Sequence, residues 1–236
     1  MIATSDHSLT AKPTRAAIWD VDGTLVDTAE LHFRAWERLC GELKTPFSRA
    51  DFAATFGQRN PEIIPKLLRG PLDDAEIARL GNLKEDYYRH AAQRGVDLLP
   101  GVRPLLASLQ AAGFRQGIGS SAPRANLELI LELTQSAPYF TAVVAMEDTQ
   151  RGKPDPEVFL TAAKKLGIEP NRCVVFEDAI AGVQAARAAG MKCVAVSFVG
   201  HHPAEKLAAA GAHKVVANLA ELDAAAVAAL WDGAGS

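Results

Sequence analysis

Over most of this chain, short apolar runs that end abruptly in acid or hydroxyl residues alternate with longer stretches of helical apolar spacing. The first run is 15–20, where Ala16-Ala17-Ile18-Trp19 leads straight into Asp20. Others lie at 116–119, 142–145, 173–176 and 192–196, with a weaker one at 214–216. Runs of this length, bounded by turn signals, suit strands buried on both faces. Between them 102–112, 124–134, 156–166 and 179–189 read as helices, and Gly113, Gly167 and Gly190 stand where such helices stop. From about residue 100 onward the alternation predicts a parallel sheet with helices on both faces, and the right-handed crossover rule leaves few other windings.

The segment 28–99 breaks that rhythm. It holds no strand-like run, only helical patterns: Leu31, Phe33, Ala35, Trp36 and Leu39; Ile63, Ile64, Leu67 and Leu68; Ile77, Leu80, Leu83 and Tyr87. Pro61, Pro65, Gly70 and Pro71 are expected to cut it into short pieces. A connection this long with its own periodicity predicts a small domain and not a loop. The expected organisation is therefore a tail at 1–14, an α/β core with a Rossmann-like parallel sheet from 15–27 and 100–236, and an inserted all-α cap at 28–99.

A chain of 236 residues is long enough for one such domain with an insert. Its net charge of −3 carries no polyanion signature, so nucleic acid is not an expected partner. No apolar run approaches the roughly 20 residues of a membrane helix, and the first dozen residues lack the apolar stretch of a signal peptide. The expectation is a soluble, cytoplasmic protein, a monomer or weak dimer. Cys40, Cys173 and Cys193 are widely spaced and in no metal-ligand pattern; Cys173 and Cys193 sit in strand-like runs and read as small buried hydrophobes, and a reducing compartment is expected.

In an open parallel sheet, ligands sit outside the carboxyl ends of the strands, so the residues that end each run carry the candidate chemistry. The first run ends Asp20-Val21-Asp22-Gly23-Thr24, the second Gly119-Ser120-Ser121, and the fourth Glu177-Asp178; the loop after the third carries Arg151-Gly152-Lys153-Pro154-Asp155. Asp20 and Asp22, two apart in extended chain, point the same way; the alternative is an Asp-rich turn. Brought close, two carboxylates need a cation or a proton between them, and with Asp178 they offer hard oxygens suited to magnesium. Lys153, otherwise an ordinary solvated lysine, is fixed here at the catalytic edge and can balance a nucleophilic carboxylate and a phosphate. Ser120 reads as a donor to phosphate oxygens, as a cap for the helix at 124–134, or as both.

These stretches resemble the four motifs of the haloacid dehalogenase superfamily, present in order. They are Asp20-Val21-Asp22-Gly23-Thr24-Leu25-Val26-Asp27, then Ser120, then Lys153-Pro154-Asp155-Pro156, then Phe176-Glu177-Asp178-Ala179 with Gly182. A helical insert between the first two is similar to the cap of the subgroup containing β-phosphoglucomutase and many sugar-phosphate phosphatases. The resemblance implies that Asp20 attacks phosphorus, giving an aspartyl-phosphate, and that Asp22 protonates the leaving oxygen and later takes a proton from water or a hydroxyl. It implies Mg2+ held by Asp20, the main-chain carbonyl of Asp22 and Asp178, with Glu177 nearby. Ser120 and Lys153 would hold the phosphoryl oxygens.

Dehalogenases of the superfamily lack the second aspartate, so Asp22 points to phosphate chemistry. Between phosphatase and mutase the signals divide. The run from Asp27 to Trp36, with Thr28 and His32, and Lys84 in Lys84-Glu85-Asp86-Tyr87-Tyr88 are similar to the mutase pattern. The mutase, however, has a cap arginine three residues after a glycine, whereas Gly57-Gln58-Arg59-Asn60 brings Arg59 one residue early. A serine and a lysine after the second motif are replaced by Ala122 and Pro123, with Arg124 a candidate substitute.

The first reading is a magnesium-dependent phosphatase acting on a small phosphorylated metabolite, a sugar phosphate. A hexose phosphomutase is the alternative, and a non-catalytic sensor of phosphorylated ligands is disfavoured because no chemical group is missing. Ser121, Thr28, His32, Gly57, Arg59, Asn60, Lys84 and Arg124 are the expected substrate contacts. Closure of the cap on hinges near 27–28 and 99–101 would bring the cap residues among them to the leaving group. Phe33 and Trp36 are expected in the cap core, and His201-His202 in a solvated loop.

Overall fold

The computed structural model describes residues 15–232; the tail expected at 1–14 lies outside the described residues. The apolar runs become β1 (Ala16–Trp19), β2 (Arg115–Gly119), β3 (Ala142–Val144), β4 (Cys173–Glu177), β5 (Lys192–Val196) and β6 (Lys214–Val216). They form one six-stranded sheet of order β3-β2-β1-β4-β5-β6, every pair parallel. The chain leaves β1 for β2 and β3 on one side and then crosses to β4 on the other. That reversal opens a crevice at the carboxyl ends of β1, β2 and β4.

Successive residues of a strand face opposite ways, and each face of the sheet has its own core. Ala17, Trp19, Ile118, Val174 and Phe176 pack under α5 (Val102–Ala111), α6 (Arg124–Leu133) and α10 (Ala224–Ala228). Ile18, Val144, Val175 and Cys193 pack under α7 (Glu157–Leu166), α8 (Ile180–Ala188) and α9 (Ala204–Ala209). The register sets Trp19 beside Phe176, and their rings stack with centroids 4.1 Å apart. The indole N–H donates to Gln116 Oε1 at 3.2 Å, so the one polar group of this side chain is satisfied inside the core. All three cysteines are free and buried, and burial raises their thiol pKa values, Cys40 to about 11 and Cys173 to about 12.

Between β1 and α5 the chain forms α1 (Ala29–Glu42), α2 (Arg49–Thr55), α3 (Asn60–Leu68) and α4 (Asp74–Ala92). Phe33, Trp36, Leu39, Phe52, Ile63, Ile64 and Leu80 make a separate apolar cluster among them. Helix α2 has no periodic apolar signature in the sequence; it is short but carries a full capping box, in which Ser48 and Asp51 bond each other's backbone N–H. Nor does Pro65 break the chain. It lies in the second half of α3, where the helix continues past it at the loss of one helical N–H, and Pro61 sits in the first turn, where no intrahelical bond is lost. The two strands of chain that join cap to core run side by side: Val26 bridges Leu98, and Leu99 N–H donates to Leu25 O at 2.8 Å. Among the described residues no helix is long and apolar enough to cross a membrane.

Truncating Trp19 to alanine removes a wholly buried ring from the centre of the sheet. The loss expected from urea unfolding followed by circular dichroism is about 3–5 kcal/mol; a loss under about 1 kcal/mol would show that this face of the core collapses to fill the space.

Candidate active site

Asp20 is the first residue past β1, and its N–H bonds to Phe176 O on the neighbouring strand at 3.0 Å. Lys153 reaches it from the loop before α7. The ammonium donates to Asp20 Oδ1 and to Glu177 Oε1, both at 2.6 Å. The other Glu177 oxygen accepts the N–H groups of Asp178 and Ala179 at 2.8 and 2.6 Å. Helix α8 passes so close that a Cβ on Gly182 would lie 1.7 Å from Glu177 Oε1.

Asp20, Glu177 and Asp178 each bring a carboxylate oxygen within 4.8 Å of the others, all three buried. Three carboxylates against one ammonium leave an excess of negative charge where water is scarce. Burial accordingly pushes Asp20 up to about 7 despite the adjacent Lys153, with Glu177 and Asp22 adding to the rise. Asp178 is pushed well above the usual carboxylate range by burial and then by Glu177 and Asp20. Burial works against the Lys153 charge, but Asp20 and Glu177 outweigh it and raise its pKa, so it stays an ammonium. Asp178 Oδ2 is buried with no hydrogen-bond partner. Gly23, at φ +88°, leaves the space beside it: a Cβ there would lie 2.1 Å from that same oxygen. With an orphaned carboxylate oxygen and space kept open by Gly23, this acid cluster could hold a divalent cation.

The Asp22 carboxylate turns away from this cluster. Its Oδ1 accepts from Thr28 Oγ1 at 2.5 Å and faces His32 Nε2 at 3.2 Å. On the other side of that ring, Lys84 Nζ lies 2.6 Å from Nδ1. An ammonium only donates, so Nδ1 accepts and Nε2 carries the hydrogen given to Asp22. Lys84 also donates to Glu85 at 2.9 Å, and Glu85 accepts from Asn60 at 2.8 Å and from Asn126 of α6 at 2.7 Å. Burial alone would raise both acids. For Asp22, His32, Thr28 and Lys84 outweigh it and hold the carboxyl low; for Glu85, Lys84 is the main counterweight and brings it to about 2.

Acid cluster and network line one cavity of about 60 Å³ between core and cap. Of the residues expected at the substrate, Ser121, Gly57, Asn60, His32 and Lys84 line it, with Asp20, Asp22, Ser120, Lys153, Glu177 and Asp178. Thr28 is spent on Asp22. Arg59 and Arg124 lie elsewhere: Arg59 donates to backbone carbonyls of the core, and Arg124 pairs with Asp148. The early position of Arg59, at the very start of α3, turns it toward the core. Ser120 does not cap α6, whose N-cap is Pro123; its Oγ accepts the N–H of Ala122 at 3.1 Å. His201 and His202 lie in a loop as expected but are half-buried, the His201 ring 4.4 Å from that of Phe56 in the cap.

With this geometry in hand, comparison with known proteins gives a single outcome. Residues 17–196 match the model of the haloacid dehalogenase-like hydrolases. The chain belongs to that family. Among curated relatives, β-phosphoglucomutase of Bacillus subtilis (strain 168) is 34% identical over 189 residues, covering 77% of this chain and 83% of the relative. Fructose-1-phosphate phosphatase YqaB of Escherichia coli (strain K12) is 35% identical over 185 residues, covering 77% and 96%. Among solved structures, β-phosphoglucomutase from Clostridium difficile superposes with a TM-score of 0.83 at 25% identity, over 92% of this chain and 97% of that one. A mutase and a phosphatase thus stand at equal distance in sequence, and the choice between them falls to the site.

In this haloacid dehalogenase-like enzyme, the cavity-lining residues missed in the sequence are Trp36, Phe52, Thr55, Phe56, Gln58, Ile63 and Glu85. Glu85 had a signal. On α4 the buried face runs Leu80, Gly81, Lys84, Glu85, Tyr88, Ala92, so two charged residues occupy an apolar stripe. Charges there must be paired inside the protein.

Glu85 carries a testable consequence. Its depressed pKa means that the ionised acid stabilises the fold above about pH 4.5 and that this contribution is lost as pH falls toward about 2. Glu85→Gln should cost stability at pH 7, and the gap to the parent in urea unfolding should narrow on titration to pH 3. A gap independent of pH would contradict the assignment.

Proposed function

We propose that the protein is a phosphatase that transfers the phosphoryl group of a small sugar monophosphate to Asp20 and releases it to water. The observation that carries this reading is the charge inventory of the cavity. Its lining cations are Lys153, committed to Asp20 and Glu177, and Lys84, committed to Glu85 and His32. A mutase must hold a second phosphate at the far end, and both arginines available for that are bonded elsewhere. The cap side of the cavity is lined instead by Gln58, Asn60 and Thr55, each with one bond or more inside the protein and lone pairs or N–H groups to spare, beside Trp36, Phe52, Phe56 and Ile63. Amides, a hydroxyl and aromatic faces suit an uncharged polyol. The phosphatase relative named above, which acts on fructose 1-phosphate, supports the same substrate class.

In this reading Asp20 forms the bond to phosphorus as the sugar oxygen leaves, giving an aspartyl-phosphate. Lys153 and Ser120 meet the phosphoryl oxygens; the buried ammonium offsets charge that gathers in the transition state. Asp22 delivers a proton to the leaving oxygen through the carboxylate oxygen not held by Thr28 and His32. Its low proton affinity in the resting site rises beside a bound phosphate, since like charge favours protonation. Once the sugar has gone, Asp22 is again the base that takes a proton from water. Asp20, Asp178 and the Asp22 carbonyl, with Glu177 behind them, are the residues that would hold Mg2+. Bound there, the ion neutralises phosphoryl and carboxylate charge together.

Phosphate release from a panel of sugar monophosphates, measured beside conversion of β-glucose 1-phosphate to glucose 6-phosphate, tests the assignment. Free phosphate should dominate, and Asp20→Asn should lower it at least about a thousandfold while the fold is kept. Isomer conversion with little free phosphate would establish the mutase instead. Magnesium should also raise the thermal unfolding midpoint, and Asp178→Asn should abolish that rise; an equal shift in the variant would move the ion to other ligands.

A further inference from the structure

We infer that Arg59 is a latch that holds the cap shut on the loop carrying Lys153, a positioning residue and not a substrate contact. Arg59 immediately precedes α3 on the cap, and its guanidinium crosses to the core. Nη1 donates to Gln150 O at 2.9 Å, and Nη2 to Met146 O and Thr149 O, both at 3.2 Å. These carbonyls belong to the turn between β3 and α7, which runs directly on to Lys153. The same turn is braced from beneath by Glu157, which accepts the N–H groups of Gln150 and Arg151 at 3.0 Å each. One charged side chain from the core therefore holds its donors, and one from the cap holds its acceptors.

The contact is also sterically close. A Cβ on Gly152 would lie 2.4 Å from Glu62 Oε1 and 2.7 Å from Arg59 Cδ. Both atoms belong to the first turn of α3 and the residue before it, so the cap seats against the backbone one residue before Lys153 because position 152 has no side chain. A planar guanidinium presents several donors in a fixed fork, which suits carbonyls fanned around one turn; a lysine ammonium at the same place cannot span them. Opening the cap exchanges all three bonds for water, so cap position and the placement of Lys153 are coupled through this residue. None of this depends on what the cavity binds.

The experiment is backbone hydrogen–deuterium exchange of the ligand-free protein, comparing the parent with Arg59→Ala, Arg59→Lys and Gly152→Ala. Steady-state kinetics of both Arg59 variants on several sugar phosphates run alongside. Arg59→Ala should speed exchange in residues 146–153 by about tenfold or more, the scale set by losing a charged hydrogen bond, with β1 and β4 unchanged. Arg59→Lys should not restore protection, and Gly152→Ala should reproduce the faster exchange with Arg59 intact. The loss in kcat/KM should be similar for every sugar phosphate and lie mainly in KM. Unchanged exchange in Arg59→Ala and Gly152→Ala overturns the latch. So does a kinetic loss confined to particular sugars, which would put Arg59 on the leaving group. Failure of every sugar phosphate to react would sink the phosphatase reading, while the exchange result would still decide the latch.

Discussion

The site is organised around one ammonium group buried among acids. Lys153 bonds Asp20 and Glu177 at equal distance, and Asp178 stands beside them without a partner for one oxygen. In water such a cluster would cost little; in the interior the carboxylates must find charge or take up protons. Burial raises the proton affinity of Asp20 and Asp178, and Lys153 alone does not offset it. In the proposed function magnesium would supply the remaining charge, so that an entering phosphate would meet positive charge from the ion as well as from Lys153.

The fold brings this about by topology. Strands β1 and β4 are neighbours, so Asp20 and the pair Glu177-Asp178 emerge side by side. β2 flanks β1 on its other edge and delivers Ser120, and the loop beyond β3 returns Lys153 over the top. The stacked Trp19 and Phe176, each one residue before a site acid, tie that alignment to the core. The cap adds a second polar layer in which Thr28, His32, Lys84, Glu85, Asn60 and Asn126 run from Asp22 across to α6. In the proposed function, the core chemistry and the choice of substrate are in this way carried by different parts of the molecule.

What could be read from the sequence follows the same division. The strands were legible because a strand buried on both faces must be a continuous apolar run, and the residue that ends it is then exposed to the site. Asp20, Ser120 and Glu177-Asp178 could be found by that rule alone. The cap was legible only as helical. Its short helix α2 owes its existence to a capping box and to Phe52 packing on Phe33 and Phe56, neither of which a periodic pattern reveals. Arg59 and Arg124 were expected at the substrate as counterparts of basic residues in the mutase pattern, Arg59 one residue early and Arg124 in place of a lysine after the second motif. Whether such a side chain faces the cavity or a carbonyl depends on a rotation of about 100° per helical residue, which needs the start of the helix to be known. His201 and His202 do lie in a loop, but the ring of His201 is half-buried beside Phe52 and Phe56 of the cap, a packing that no local pattern reveals.

The central claim is that the phosphoryl group rests covalently on Asp20 during turnover. Rapid acid quench of the working enzyme, followed by proteolysis and mass spectrometry, reads this directly. The account predicts the added mass of one phosphoryl group on the peptide containing Asp20, localised to that residue, formed and discharged at rates compatible with turnover. Undiminished turnover with no modified Asp20, or with the phosphoryl group on another residue, would contradict it.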